Sequence, residues 1–327
     1  MITSFFNPAE YDSKKRNFDQ FIGPIRDGGL NWMLAECAFG DAPFCFEASL
    51  KVFRVRSRSV LWQKERLLNH VVRQLPASCT KIAWVDADVL FTNPDWAVET
   101  SLALEQFPLV QPYSEVIRLP PRTRVYRGEG RVWPSFAARR SENPSSLYAG
   151  KFDAHGHTGF AWAARRELLL EPGLYDACIA GGGDHFMAHA AAGDWSTTCA
   201  LRVTGGRSAL YRHASGWARR WHSAVQREIG WVDGTLLHLW HGDFEHRQYN
   251  LRGHELTELG FDPARDLRIG KNGCWEWATH DPALRQWAVD YFAARHEDGA
   301  ASRERISAAS PASATSQPRR RARMPSR

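Results

Sequence analysis

The first 112 residues alternate between two hydrophobic periods, and that alternation restricts the chain to few architectures. "MITSFFNP" is a short apolar strand stopped by Pro8, "KKRNFDQFIGPIRDGG" has helical spacing and ends in glycines, and "LNWMLAECAFG" is strand-like again. "FRVRSRS" reads as a strand or loop. "VLWQKERLLNHVVRQLP" reads as a helix, with Val60, Leu61, Leu67, Leu68, Val71, Val72 and Leu75 in the i, i+3, i+4 rhythm and Pro76 as its stop. The strand "KIAWVDADVLF", the turn "TNPDW", the helix "AVETSLALEQF" and the strand "PLVQPY" follow. Such strand–helix alternation predicts an α/β domain, a mainly parallel sheet flanked by helices.

Residues 115–150 are rich in Arg, Pro and Ser without clean periodicity, which predicts a long irregular excursion of the kind that covers substrates. "HGHTGFAWAARRELLLEPGLYD" then predicts a strand, a short helix and a turn. "IAGGGDHFMAHAAAG" predicts a glycine-rich turn feeding a helix that stops at Gly193, and the segment ending "DPALRQWAVDYFAARHEDG" predicts a closing helix.

Charge separates the body from the end of the chain. Residues 299–327 hold seven of the 42 Lys and Arg and one of the 36 Asp and Glu, so residues 1–298 are balanced at 35 of each sign. The expected organisation is a folded domain over 1–298 and a disordered basic tail over 299–327, able at most to touch anionic surfaces weakly. A neutral body argues against nucleic-acid binding as the main role. Six cysteines without a Cys-x-x-Cys predict free thiols in a reducing compartment, and no segment approaches about 18 apolar residues, so the expectation is a cytoplasmic protein.

Asp86 and Asp88 interrupt the apolar run "WVDADVLF". In a strand, residues i and i+2 share a face, so the two carboxylates would repel side by side among Trp84, Val85, Val89, Leu90 and Phe91. A divalent cation with hard oxygen ligands would compensate them; the alternative is a strand-ending turn in which Asp bonds the backbone. Lys64 interrupts the apolar stripe of its helix, either snorkelling to the edge or facing an anion. "GGGDHF" sets three glycines before Asp184 at a helix start, where the carboxylate could cap the helix. "HLWHGDFEH" gathers His238, His241 and His246 with Asp243, a set suited to a transition metal.

In this order, "KIAW", Asp86-Ala87-Asp88 and "VLFTNPDW", with "WQKERLLN" before them, resemble the DxD region of inverting GT-A-fold glycosyltransferases, in their family 2-like and galactosyltransferase-like branches. The resemblance spans roughly residues 1–275. It implies a Rossmann-like GT-A fold in a single domain and an enzyme that transfers a hexose-type sugar from a nucleotide-sugar, a UDP-sugar, to a glycan or other hydroxyl acceptor. Within it Asp88 is a metal ligand, His241 completes the shell with His238 as a second imidazole, and carboxylate with imidazole favours Mn²⁺ over Mg²⁺. Asp86, Lys64, Phe5, Phe6 and Asn7 contact the nucleotide side, with Lys64 a charge partner of the diphosphate. Gly159, Phe160 and Trp162 in "HTGFAW" line the pocket beside Gly182 and Gly183, and Asp184 is the general base, although the family's Gly-Glu-Asp here reads Gly182-Gly183-Asp184. Trp217, Trp221 and Trp240 are further candidates for sugar stacking. Two other classes remain: a Zn²⁺ hydrolase built on the same Asp and His residues, which needs no nucleotide donor, and a nucleic-acid binder acting through the Arg tail.

Overall fold

The computed structural model describes residues 1–128, 130–149 and 154–299. Among them run the strands β1 (Ile2–Phe6), β2 (Met33–Phe39), β3 (Val52–Ser57), β4 (Lys81–Val85), β5 (Val89–Phe91), β6 (Leu109–Gln111), β7 (Glu115–Arg118), β8 (Val132–Pro134), β9 (Ala161–Arg165), β10 (Ile229–Trp231), β11 (Thr235–His238), β12 (Leu267–Ile269) and β13 (Trp275–Trp277). The helices are α1 (Asp12–Asp27), α2 (Lys64–Gln74), α3 (Trp96–Gln106), α4 (Phe136–Glu142), α5 (Arg166–Leu170), α6 (Gly183–Ala191), α7 (Thr198–Val203), α8 (Ala209–Val225), α9 (Arg252–Glu258), α10 (Pro263–Asp266) and α11 (Pro282–Ala293).

Seven strands form one sheet in the order β10-β6-β9-β4-β1-β2-β3. β3, β2, β1 and β4 are mutually parallel, β6 and β10 are parallel, and β9 runs antiparallel to both its neighbours. The chain is therefore a mixed α/β protein with a mostly parallel, helix-flanked sheet of Rossmann-like character. Period-two alternation distributes the strands between two cores: Ile82 and Trp84 of β4 join Leu67, Leu68, Val71 and Val72 of α2 on one face, while Val85 joins Phe18, Phe21, Ile22 and Ile25 of α1 on the other. A second sheet, β5-β11-β7-β8, and the small pair β12-β13 complete the strand set. No helix among the described residues is long and apolar enough to cross a membrane.

Three expectations change. "KIAWVDADVLF" is not one strand: β4 ends at Val85, the chain turns through Asp86, Ala87 and Asp88, and β5 begins at Val89 in the other sheet. The acids thus occupy a strand-ending turn between two sheets. Helix α2 starts at Lys64, so Val60 and Leu61 precede it rather than share its stripe. Residues 115–150 are not a structureless excursion, because they supply β7 and β8 of the second sheet, α4 and a 3₁₀ turn at Pro144–Ala149. Glu129, Gly150 and the tail from residue 300 onward lie outside the described residues.

Trp162 belongs to the core rather than to a pocket wall. It lies opposite Trp84 in the β4–β9 register, both indoles are essentially inaccessible, and the Trp162 Nε1–H donates to the Thr158 carbonyl at 2.8 Å. Trp217 and Trp221, stacked at 5.2 Å between ring centroids on α8, are likewise buried packing residues. Replacing Trp162 by Ala should lower the unfolding free energy by about 3–5 kcal/mol. Urea denaturation checks it, with a lower midpoint at unchanged slope as the expected result.

Candidate functional site

A cleft of about 550 Å³ opens where β1 and β4 end, at the carboxyl edge of the parallel strands. That edge, next to a strand of reversed direction, is where open α/β sheets receive ligands. Phe5, Phe6, Lys64, Asp86, Asp88, Gly159, Phe160, Gly182, Asp184, His238 and His241 all line it. Three expected residues do not. Trp162 is in the core, Gly183 packs against Glu65, and Asn7 closes the turn into α1, its amide donating to the Tyr11 carbonyl at 2.8 Å and its Oδ1 accepting from the Tyr11 N–H at 3.0 Å.

Lys64 does not snorkel; it faces anions, and these are two carboxylates of the chain itself. Its ammonium is buried at the start of α2, with Asp86 Oδ1 at 2.5 Å and Asp184 Oδ2 at 2.6 Å. Burial alone would pull this amine down, but Asp184 and Asp86 outweigh it and hold it protonated. Burial pushes Asp86 up to about 6, with Asp184 and Asp88 adding to the rise and Lys64 opposing it. The neighbouring Glu65, which sequence reasoning passed over, is pushed up to about 8 by burial and by Asp184, against the pull of Lys64. Near neutral pH the cluster therefore holds one ammonium between two carboxylates, with a protonated Glu65 behind them.

Asp88 turns the other way. Its Oδ2 lies 2.9 Å from His241 Nε2 and 4.0 Å from His238 Nε2, the two imidazole nitrogens are 3.1 Å apart, and Asp88 Oδ1 is buried without a hydrogen-bond partner among the described residues. The topology makes this meeting: His238 pairs with Val89 in the β11–β5 register, and the Leu239 N–H donates to the Asp88 carbonyl at 2.8 Å. Burial disfavours a charge on Asp88, yet His241 and Arg247 outweigh it and hold the carboxyl well below its ordinary range. Burial holds His238 well below its own, as a neutral imidazole. On its far side His241 offers Nδ1 to Glu297 Oε2 at 3.4 Å, the carboxylate support that ligating histidines use. His241 Nε2 also faces Arg247 Nη2 at 2.9 Å, so a single ring nitrogen meets a carboxylate, an imidazole and a guanidinium that it cannot all satisfy. One carboxylate oxygen without a partner and two imidazoles within 4.8 Å fit a divalent transition metal. His246 and Asp243 stay apart: His246 packs on His296, and Asp243 accepts from the Trp240 indole at 3.3 Å.

Helix α6 carries Asp184 in its first turn, but the carboxylate does not cap it; Gly182 occupies the cap position with a left-handed backbone, φ 97°. A Cβ there would stand 2.9 Å from Arg252 Nη2 and 3.0 Å from Val203 Cγ1, so both conformation and space require glycine. Phe160 also has a left-handed backbone, φ 78°, a strained setting for a large residue. Its carbonyl accepts the Asp86 N–H at 2.7 Å and its ring lies 4.7 Å from that of His238, so it ties the two halves of the site together.

A basic group adjoins the imidazoles, with Arg247 Nη2 against His241, and no sequence motif announces it. Arg247, Arg252 and Arg295 line the cleft around Tyr249 and are themselves buried. Tyr291 receives Arg252 Nη1 at 2.8 Å and Arg295 Nη1 at 3.0 Å. Burial would raise the Tyr249 phenol, but Arg247, Arg252 and Arg295 pull it down to about 8, a measure of how positive this group is. Trp240 lies instead on a neighbouring depression with Arg16 and Arg124, and all six cysteines are free thiols.

No protein-family model matches the chain, and no curated protein matches it.

Because Glu65 holds its proton up to about pH 8 when folded but ionises near its ordinary value when unfolded, the folded state binds the extra proton between those limits and loses stability as pH rises through them. Glu65→Gln should therefore raise the thermal midpoint by about 2–4 °C at pH 9 and change it little at pH 4.5, a difference that scanning fluorimetry across that range will read.

Proposed function

We propose that the chain is a metal-dependent glycosyltransferase of the GT-A type, transferring a hexose-type sugar from a UDP-sugar to a hydroxyl acceptor with inversion. The observation that carries this reading is the Lys64 ammonium joining Asp86 to Asp184 in a cleft that also holds Asp88 against His241. Segments some 150 residues apart, each matching part of the glycosyltransferase resemblance, thereby meet at one carboxyl edge of the sheet.

Asp88, His238 and His241 would hold Mn²⁺ or Mg²⁺, which when bound would offset the charge growing on the departing diphosphate. Arg247, Arg252 and Arg295 supply fixed positive charge for the same anion, at positions anchored by Tyr249 and Tyr291. Asp86, fixed by Lys64 and by its backbone bond to Phe160, contacts the nucleotide side. Asp184 takes the proton of the acceptor hydroxyl as that oxygen bonds to the anomeric carbon and the bond from carbon to the diphosphate oxygen breaks. Lys64 orients Asp184 by the 2.6 Å contact, so the base is presented rather than free to rotate. The buried arginines suit an anionic, phosphate-bearing substrate, and turnover without a nucleotide donor is what distinguishes the hydrolase alternative.

Thermal-shift measurements with a panel of nucleoside diphosphates, each with and without Mn²⁺, test the proposal. Metal-dependent stabilisation of about 2.7 kcal/mol at a ligand concentration 100-fold above Kd is expected for the matching nucleotide. Asp88→Ala should abolish the metal-dependent part. Asp184→Asn should keep it and lower the transfer rate by about 10²–10⁴-fold. Turnover without any nucleotide donor, or a flat response to the whole panel, would sink the reading.

A further inference from the structure

A second constellation borders the cleft, which His155 and His185 help to line, and is built from side chains to which the transfer chemistry gives no role. His155 in the loop before β9, His185 and His189 one turn apart on α6, and Cys199 in the first turn of α7 are all buried, and each offers a ligand atom within 4.8 Å of the others. His155 Nε2 and His185 Nε2 each lie 3.1 Å from Cys199 Sγ. His189 is wholly inaccessible, and neither of its ring nitrogens has a hydrogen-bond partner among the described residues.

Two of the three rings are hydrogen-bonded on their outer faces: His155 Nδ1 lies 2.9 Å from the Gly156 carbonyl and His185 Nδ1 lies 3.3 Å from Thr158 Oγ1, while Asp194 Oδ2 stands 3.4 Å from His189 Nδ1 without a hydrogen bond. The carbonyl on His155 Nδ1 leaves that ring's Nε2 as an inward lone pair, the tautomer and orientation that metal-ligating histidines take from their supporting groups. Asp194 is held for this by the end of α6: Gly193 adopts a left-handed backbone, φ 81°, and the Asp194 N–H donates back to the His189 carbonyl at 2.8 Å. Its Oδ2 is buried and has no hydrogen-bond partner among the described residues. A buried carboxylate and a buried thiol both need a cation to be charged at low cost.

We propose that His155, His185, His189 and Cys199 form a closed structural Zn²⁺ site. Zinc takes three imidazole nitrogens and one thiolate at bonds of about 2.0–2.1 Å and 2.3 Å, which sets tetrahedral ligands about 3.3–3.6 Å apart. The observed 3.1 Å contacts and the 4.8 Å outer limit bracket that spacing. Charge closes as well, since one dication, one thiolate and the Asp194 carboxylate sum to zero. Four protein ligands leave no open position, which makes the site structural rather than hydrolytic. Its mechanical effect is to pin the 155–158 loop, which leads into Gly159 and Phe160, to the helix that begins beside Asp184. This inference does not depend on the transferase reading.

Metal analysis of the purified full chain after exhaustive dialysis tests it. One equivalent of zinc is expected in the unmodified protein and equally in Asp88→Ala, which removes the other candidate metal group, while Cys199→Ala and His189→Ala should each lose it. Should those variants fail to fold, cobalt-grown unmodified protein decides: it should show a thiolate-to-cobalt charge-transfer band and the visible bands of a tetrahedral ion, and a thiol-directed mercurial should abolish them. Unmodified protein without stoichiometric zinc and without the cobalt bands would overturn the proposal. So would zinc that disappears in Asp88→Ala and persists in Cys199→Ala.

Discussion

A buried ammonium must be compensated where it lies, and the architecture of the cleft follows from how Lys64 meets that demand. Helix α2 starts at Lys64 itself, so the side chain leaves the helix at its amino-terminal end, where no preceding turn restrains it. The carboxylates that neutralise it come from the turn after β4 and from the first turn of α6. Removing one partner of such a buried group leaves an uncompensated charge, at a cost of about 3–5 kcal/mol. Three elements distant in sequence are thus held in register by one ion cluster. The rise of Glu65 toward a protonated state keeps that cluster from carrying a third negative charge.

The division between Asp86 and Asp88 is the second consequence. Were the two acids in one strand they would share a face and a repulsion; the turn between sheets sends one to Lys64 and the other to His241. Each is then compensated by a different kind of partner. An ammonium cannot be exchanged for substrate without unbuttoning α2 from α6, whereas two neutral-capable imidazoles and an oxygen without a partner leave room for an added cation. Asp86 is accordingly committed to Lys64 and Asp88 to His241, and the distinction rests on topology rather than on the spacing of the pair.

Much of this was legible in the sequence, for reasons that differ by feature. Helices α1, α2, α3 and α11 and strands β1, β2 and β4 announce themselves because a half-buried element repeats its burial pattern over enough residues to be counted. β7 and β8 are four and three residues long, too short for any period to register, so the stretch around them reads as irregular. The break at Asp86 is open to two readings, a continuous strand or a strand-ending turn, because Val89, Leu90 and Phe91 continue the apolar run while changing sheets; the turn is what forms. Trp162 looked like a pocket residue because "HTGFAW" was read as one unit, yet in an antiparallel strand Phe160 and Trp162 lie beyond and within the ladder respectively, and only the former reaches the cleft. The i, i+4 pair His185 and His189 was a usable signal for the buried histidine cluster; His155 and Cys199, 30 residues before and 14 after His185, carry none until the fold brings them together.

The charges of the cleft complete the physical picture. Carboxylates are spent on an ammonium and imidazoles; beside them Arg247, Arg252 and Arg295 converge with Glu297 as a nearby acid, held well below its ordinary range by Arg295 and Lys14 against its own burial. Asp88 and Glu297 both face this positive charge, and the Tyr249 phenol, drawn down to about 8, feels it as well. Buried guanidiniums are costly unless anions complete them. An anionic ligand with two adjacent negative charges would suit these guanidiniums, whose planar donors match paired oxygens, and Arg247 at 2.9 Å from His241 would set such a ligand beside the Asp88 group.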